Sequence, residues 1–278
     1  MSSDAVTEAS RSLAGAGIAS ARLDARLLWQ FALNIEASAL VARGTGRATK
    51  LFEALVKRRM MREPLAYILR SKEFWSLDFA VGPGVLIPRP DSETLIEAMR
   101  RYFPDNGAAL SVLDLGTGSG CLLIAALTEY PNARGVGVDT SQEALAWAGR
   151  NIEAHKVSNR ATLVHSGWLE EASPGFDVLL CNPPYIVSRE IDALAPEVRQ
   201  FEPRQALDGG PDGLDAYRVL ATRIAKLLKP AGKAFLEVGA GQAEKVRGIL
   251  RSQGLTVLDT ASDLAGLPRC VVAAANTV

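Results

Sequence analysis

The stretch Val112-Leu113-Asp114-Leu115-Gly116-Thr117-Gly118-Ser119-Gly120 constrains the fold more than any other part of this chain. An apolar run leads directly into three glycines separated by single residues, and Leu122, Leu123 and Ala126 then recur at helical spacing. A strand that ends in a glycine turn and opens a helix belongs to a parallel sheet, and its turn lets backbone pass close to a ligand without Cβ clashes. From Ser111 onward, short apolar runs alternate with helical segments. The pattern predicts strands near 111–115, 134–139, 161–165, 176–181, 233–238, 254–258 and 269–274. The expected fold is α/β, a Rossmann-like sheet of seven mostly parallel strands.

Glycine spacing narrows the ligand. A dinucleotide fingerprint, G-x-G-x-x-G, would need glycine where this chain has Cys121, and a phosphate loop would need Gly-Lys-Ser/Thr, which is absent. The observed G-x-G-x-G, preceded by Asp114, suits a ligand bearing an ammonium and a carboxylate. Asp139 closes the next strand, where a carboxylate can hold a ribose diol through two charge-assisted hydrogen bonds. It is equally placed as the N-cap of a helix over Ser141–Arg150. After the third strand, Ser166-Gly167-Trp168 puts an indole where an adenine ring would lie, or alternatively into the core.

A second turn carries different chemistry. The strand Val178–Cys181 must stop at Asn182-Pro183-Pro184-Tyr185, because proline cannot donate to a sheet ladder. That leaves an Asn side chain, prolyl carbonyls and a Tyr ring on a stiff turn at a strand's carboxyl end, where open α/β sheets bind ligands. Such a turn suits a planar NH2 group on an sp² carbon. The Asn182 oxygen and the Pro183 carbonyl each accept one hydrogen, and Tyr185 lies against the flat group. Taken alone, the tetrapeptide also fits a proline-terminated strand with an incidental Asn and Tyr.

The remainder reads as supporting structure. Residues 1–72 are expected to form a small helical domain used for substrate docking. Ser20 would cap a helix presenting Leu23, Leu27, Leu28 and Phe31, and a second segment carries Leu51, Leu55 and Val56. Arg58, Arg59 and Arg62 read as a solvated face or, less simply, a docking surface for an anionic partner. Residues 73–90 are expected to be a β-hairpin linker, with strands 74–81 and 85–87 about Gly82-Pro83-Gly84. The main domain then runs over 91–278, opening with Asp91 as N-cap of a helix bearing Leu95, Ile96, Met99 and Tyr102. The turn-rich connection 186–215 is long enough to suggest a role of its own. Glu237, ending a strand, and Arg89, a tether or a partner contact, have no assigned role.

Charge and cysteine usage remove other classes. Lys plus Arg and Asp plus Glu number 31 each, so no global field draws nucleic acid or an anionic membrane. Cys121, Cys181 and Cys270 are far apart in apolar runs, which fits buried thiols in a reducing compartment. His155 and His165 have no ligand-spaced companion, so no metal is expected. No membrane span, signal peptide or transit peptide is expected, and the expected location is cytoplasmic.

In order and spacing, Asp114 to Gly120, Asp139 and Asn182-Pro183-Pro184-Tyr185 resemble a class I S-adenosylmethionine-dependent methyltransferase acting on a planar nitrogen. More narrowly, the chain resembles the HemK/PrmC family of release factor N5-glutamine methyltransferases. The matching stretches are Ser20-Ala-Arg-Leu-Asp-Ala25, Pro64-Leu-Ala-Tyr67, Leu86-Ile-Pro-Arg-Pro-Asp-Ser-Glu93, and Phe201-Glu-Pro203 with Ala206-Leu207. Ser119 departs from the Thr common in the family. The resemblance implies methylation of the Gln in the Gly-Gly-Gln motif of peptide chain release factors, with S-adenosylhomocysteine as the second product. It implies that Gly116, Thr117, Gly118, Ser119, Gly120, Asp139 and Trp168 hold the cofactor. Asn182, Pro183, Pro184 and Tyr185 would hold the glutamine, with Asn182 touching both ligands. A monomer suffices, and no stable nucleic acid partner is expected. An adenine-N6 DNA methyltransferase offers the same planar NH2, but it needs basic surface and a target-recognition segment. A non-catalytic binding module would need neither complete motif.

Overall fold

The N-terminal helices are held by a buried ion cluster as well as by apolar packing. The computed structural model describes residues 2–33, 50–167 and 175–276. The chain divides into two units, Met1–Ser71 with Ala195–Phe201, and Lys72–Leu194 with Glu202–Val278. In the first unit, helices α1 (Ser2–Gly15), α2 (Ala21–Leu33), α3 (Lys50–Met60) and α4 (Leu65–Leu69) enclose a core that includes Leu13, Leu28, Trp29, Phe52 and Leu55. The expected stripe on α2 and α3 is only partly the inner face, since Leu23, Phe31 and Leu51 are exposed. Ala21, Asp24, Ala25, Leu28 and Trp29 face inward instead, at the i, i+3, i+4, i+7, i+8 spacing of a helix face. Two contacts set that rotation. The Trp29 ring meets Phe52 edge-on at 5.0 Å, and Arg59 draws Asp24 inward.

The arginine cluster is structural, contrary to the solvated or docking face expected for it. Arg59 is buried and donates to Asp24 Oδ2 at 2.8 Å and to Glu197 Oε1 at 3.0 Å. Arg62 donates to Glu197 Oε2 at 2.7 Å and to the carbonyls of Ala16 and Gly17. Only Arg58 is exposed, and it pairs with Glu63. Removing one partner of a buried pair of this kind costs about 3–5 kcal/mol, because the other charge is left uncompensated.

The hairpin also differs from expectation. Strands β1 (Ser71–Phe74) and β2 (Leu77–Ala80) pair about Trp75-Ser76, and Val85–Ile87 is not a strand. Trp75 and Ser76 both have positive φ, 54° and 56°, the mirror-image turn usually written with Asn or Gly. Carboxylates hold it in place. Glu93 accepts from the Trp75 amide, Glu129 from its indole and Glu73 from the Ser76 amide. Gly82-Pro83-Gly84 has another purpose. A Cβ at Gly82 would lie 2.4 Å from the Trp147 ring, so the glycine permits close approach to a helix and does not make the hairpin turn.

The second unit is built on seven strands. Helix α5 (Glu93–Tyr102) follows a 3₁₀ turn over Pro90–Ser92, and Asp91 does not cap it but pairs with Arg269 at 2.9 Å. Then come β3 (Ser111–Leu115), α6 (Cys121–Glu129), β4 (Arg134–Asp139), α7 (Gln142–Ala154), β5 (Ala161–His165) and β6 (Phe176–Cys181). The connection after β6 includes the short helix α8 (Pro196–Phe201). It leads to α9 (Asp215–Ala221), α10 (Ile224–Leu227), β7 (Leu228–Glu237), α11 (Ala243–Ser252), β8 (Leu255–Ser262) and β9 (Pro268–Ala275). The sheet order is β5-β4-β3-β6-β7-β9-β8, and only β9 runs against its neighbours.

Side-chain alternation explains the continuous apolar runs. Val112, Val178 and Leu180 pack into a cluster with α5 and α6, while Leu113, Leu179 and Cys181 pack into another with α9 to α11. Strands covered on both faces need apolar residues at every position. The topology also places the site. From β3 the chain moves outward to β4 and β5, then crosses back to β6 on the other side of β3. The switch point therefore lies between the carboxyl ends of β3 and β6, where Leu115 pairs with Cys181.

Candidate active site

The glycine turn opens a cavity of about 280 Å³ at that switch point. Its wall includes Gly116, Thr117, Gly118, Ser119, Asp139, Ser166 and Asn182, so most of the residues expected at the ligand face it together. Gly116 and Gly118 have φ of +71° and +56°, and the nearest atom to a Cβ on either would be at 4.0 or 3.9 Å. The bare backbone thus leaves room on its open side. Gly120 serves packing instead, since a Cβ there would press on Ile124 and Ala148 at 3.3 and 3.4 Å.

Two carboxylates shape the loop. Asp114 is fully buried beneath it, accepting from Thr117 Oγ1 at 2.7 Å and from the Leu123 amide at 3.2 Å. Burial pushes the Asp114 carboxyl up to about 7, against the pull of those two donors and helped by the nearby charge of Asp139. Asp139 accepts from the Gly118 amide through Oδ2 and from the Ser141 amide through Oδ1, each at 2.9 Å. The N-cap of α7 is Ser141, whose hydroxyl accepts from the Ala144 amide, so Asp139 supports the cap without being it. Each Asp139 oxygen keeps a second lone pair for hydroxyls of a ligand in the cavity. Asn151, unremarked in the sequence, joins β2 to the loop by bonding both backbone groups of Ala80 and the Ser119 carbonyl.

The Asn182–Tyr185 turn is gripped from several directions. Ile186 and Asp208 form a bridge, and the Gly209 amide donates to the Ile186 carbonyl at 2.8 Å. A Cβ at Gly209 would lie 2.8 Å from the Pro184 oxygen, and one at Gly213 would lie 2.4 Å from the Tyr185 oxygen. Gly209 and Gly213 therefore let the backbone of the long connection lie against the turn. Gln242 donates to the Tyr185 carbonyl at 2.9 Å.

Within the turn, Asn182 and Pro184 line the cavity, Pro183 is buried, and the half-buried Tyr185 ring packs against the core beneath β6 and β7. Asn182 Nδ2 donates to Ser92 Oγ at 3.1 Å. In this orientation Oδ1 is the end left to accept, and because a hydroxyl can either donate or accept, the orientation depends on where the Ser92 proton points. Tyr185 donates its hydroxyl to Glu237 Oε1 at 3.3 Å. Glu237 and Ser92 are the polar residues that sequence reading left without a role, and both are almost wholly buried. Burial raises the Glu237 carboxyl to about 7, opposed by the Ser92 and Tyr185 hydroxyls and by Arg269, while Asp91 adds to the rise. Arg89 pairs with Glu202, which also accepts from the Ile87 amide, making Arg89 a tether from the chain after the hairpin to the long connection.

The donor set fits S-adenosylmethionine. It offers a bare-backbone cradle, a carboxylate at the end of β4 and an amide oxygen beside them. Trp168 lies outside the described residues. Among the described residues no group of three or more His, Cys, Asp or Glu is placed to hold a metal, and no helix is long and apolar enough to cross a membrane. The three cysteines are free, with Cys121 only partly buried against the cavity.

Comparison with known proteins agrees with this geometry. Residues 4–69 match the family model described as the PrmC N-terminal domain, and residues 90–200 match the methyltransferase small domain. The chain is 42% identical over 262 residues to a release factor glutamine methyltransferase of Rhodospirillum rubrum, covering 93% of this chain and 80% of that protein. It is 40% identical over 275 residues to the same-named protein of Caulobacter vibrioides, covering 97% and 95%. Among solved structures, the Thermus thermophilus 16S rRNA N2 G1207 methyltransferase with AdoMet and guanosine shares the fold. Its TM-score is 0.51 at 22% identity, covering 74% of this chain and 50% of that one.

Proposed function

The chain belongs to the release factor glutamine methyltransferase family, and from this premise we propose how its own residues carry out the reaction. It is an S-adenosylmethionine-dependent enzyme that methylates the side-chain amide nitrogen, N5, of a glutamine in peptide chain release factors. The target is the glutamine of the factor's Gly-Gly-Gln motif. The chain acts on it in the cytoplasm as a monomer and without stable nucleic acid, in keeping with its zero net charge.

Gly116 to Gly120, Asp139 and Asn182 hold the cofactor, which supplies an electrophilic sulfonium methyl when bound. The protein's task is then to align and activate an amide nitrogen, whose lone pair is otherwise delocalised into its carbonyl. Asn182 Oδ1 and the Pro183 carbonyl accept the two N–H groups, which favours lone-pair density out of the amide plane and stabilises positive charge growing on nitrogen. Pro184 and the Tyr185 ring stiffen the turn and exclude water. Orientation of this kind contributes up to about 7–11 kcal/mol of a barrier. No side chain need remove the proton at the turn, since it is lost to water once nitrogen carries the methyl. The observation that carries this reading is the fixed Asn182 carboxamide, its nitrogen held by Ser92 and its oxygen left to accept beside the glycine cradle.

Intact mass of a purified release factor, incubated with this protein and S-adenosylmethionine, tests the proposal. One added methyl is expected, and none on a factor whose Gly-Gly-Gln glutamine is changed to Ala. Equal gain on both factors would overturn the assignment of the target.

A further inference from the structure

Resting on that reading, we propose that Glu237 and Ser92 are positioning residues for the glutamine turn. The ionised Glu237 carboxylate keeps the Ser92 hydroxyl oriented so that Asn182 presents its oxygen, and not its nitrogen, to the substrate amide.

The polarity of the chain of contacts carries the inference. Ser92 Oγ lies 3.1 Å from Asn182 Nδ2, and it accepts there when its own proton is taken by another acceptor. The Glu237 carboxyl, which the Ser92 hydroxyl stabilises as an anion, is the acceptor on that side. Tyr185, at the other end of the turn, donates to Glu237 Oε1 at 3.3 Å. Glu237 itself is fixed in place, because its main-chain oxygen accepts from Tyr217 at 2.8 Å and its strand pairs with Cys270. Oε2 is buried without a hydrogen-bond partner among the described residues. Structural need alone leaves such a group unexplained, since an amide or an apolar side chain would avoid burying a charge.

Protonation would reverse the chain. A neutral Glu237 can donate to Ser92, and Ser92 then donates toward Asn182. The carboxamide would turn its oxygen to Ser92 and offer NH2 to the substrate's own NH2. The other groups facing Glu237 do not replace it as the switch. Arg269 favours the anion, Asp91 opposes it, and burial keeps the Cys181, Cys270 and Tyr217 protons on. With its carboxyl raised to about 7, the protein gains the competent form as pH rises through neutrality and loses it as pH falls.

The relay can be tested without turnover. In ¹⁵N-labelled protein, the Asn182 carboxamide resonance, identified by its loss in Asn182→Asp, is followed from about pH 5.5 to about pH 8.5. Wild type should shift with a midpoint near 7, and Glu237→Gln should not. A wild-type resonance that stays still, or one that titrates equally in Glu237→Gln, would overturn the relay. Single-turnover methylation over the same range supplies the second readout. Wild-type rate should climb through neutral pH, whereas Glu237→Gln should be flat and about ten-fold or more slower in the transfer step, with S-adenosylmethionine affinity and melting temperature retained. Ser92→Ala should slow the same step and Ser92→Thr should restore it. An unchanged rising limb in Glu237→Gln would also overturn the relay. A wild type that titrates yet adds no methyl to a release factor supports the relay and overturns the substrate reading instead.

Discussion

The glycine turn after β3 and the Asn182–Tyr185 turn after β6 sit side by side on paired strands, yet they are built by opposite means. The glycine turn gets its form locally. Its left-handed glycines, Asp114 nine residues or fewer from its partners, and Asp139 at the end of the next strand hold most of it, with Asn151 on the Ser119 carbonyl as the one distant side chain described above. The Asn182 turn is stiffened by two prolines but aimed by residues far away in sequence, namely Ser92, Gly209, Glu237 and Gln242. A cofactor common to many reactions is met by a self-contained element, and a particular substrate atom is met by an element that the whole domain positions.

Substitutions that separate the two turns should therefore have separable effects. Asn182→Ala should give the largest, lowering glutamine methylation by about 100-fold or more, because it removes an acceptor aimed at charge that develops during transfer, and weakening cofactor binding by a much smaller factor, because its cavity contact with the cofactor is lost as well. Stopped-flow transfer rates alongside cofactor titration would read both quantities. Asp139→Ala should do the reverse, weakening S-adenosylmethionine binding by about 10- to 100-fold through lost charge-assisted hydrogen bonds and a loosened Gly118 amide. Calorimetric titration measures it. Gly209→Ala tests whether the distant grip matters. Its Cβ would press on the Pro184 oxygen, so a loss of about 1–3 kcal/mol in denaturant-monitored stability and slower methylation are expected, with cofactor affinity retained. Tyr185→Phe should be smallest, a few-fold slower at most, since the ring stays packed and only a long hydrogen bond to Glu237 is removed. A loss as large as that of Asn182→Ala would make the hydroxyl a direct participant.

The same local-against-distant contrast explains what the sequence made legible. The strands, the glycine turn and Asp139 announce themselves because their determinants are neighbours in the chain. Ser92 and Glu237 gave no such signal. One sits in a 3₁₀ turn and the other ends a strand, and only the crossing order of the sheet brings them to Asn182. The hairpin was misplaced for a similar reason. Trp75-Ser76 lacks the Gly, Asn or Asp of a mirror-image turn, and Glu93 and Glu129, which hold it, lie 18 and 54 residues on. Gly82 and Gly84 mimic a turn because close packing against α7 also calls for glycine. Arg59 looked solvent-facing because its partners, Asp24 and Glu197, are 35 and 138 residues distant.

The most direct test of the central claim, that the Asn182 turn holds a protein glutamine by its planar amide, is to locate the transferred methyl. Wild-type protein would be given S-adenosylmethionine, a release factor and duplex DNA together, and the products fragmented for mass spectrometry. The account predicts one methyl, on the side-chain nitrogen of the Gly-Gly-Gln glutamine, and none on DNA. A methyl on adenine, or on any other residue of the factor, would contradict it.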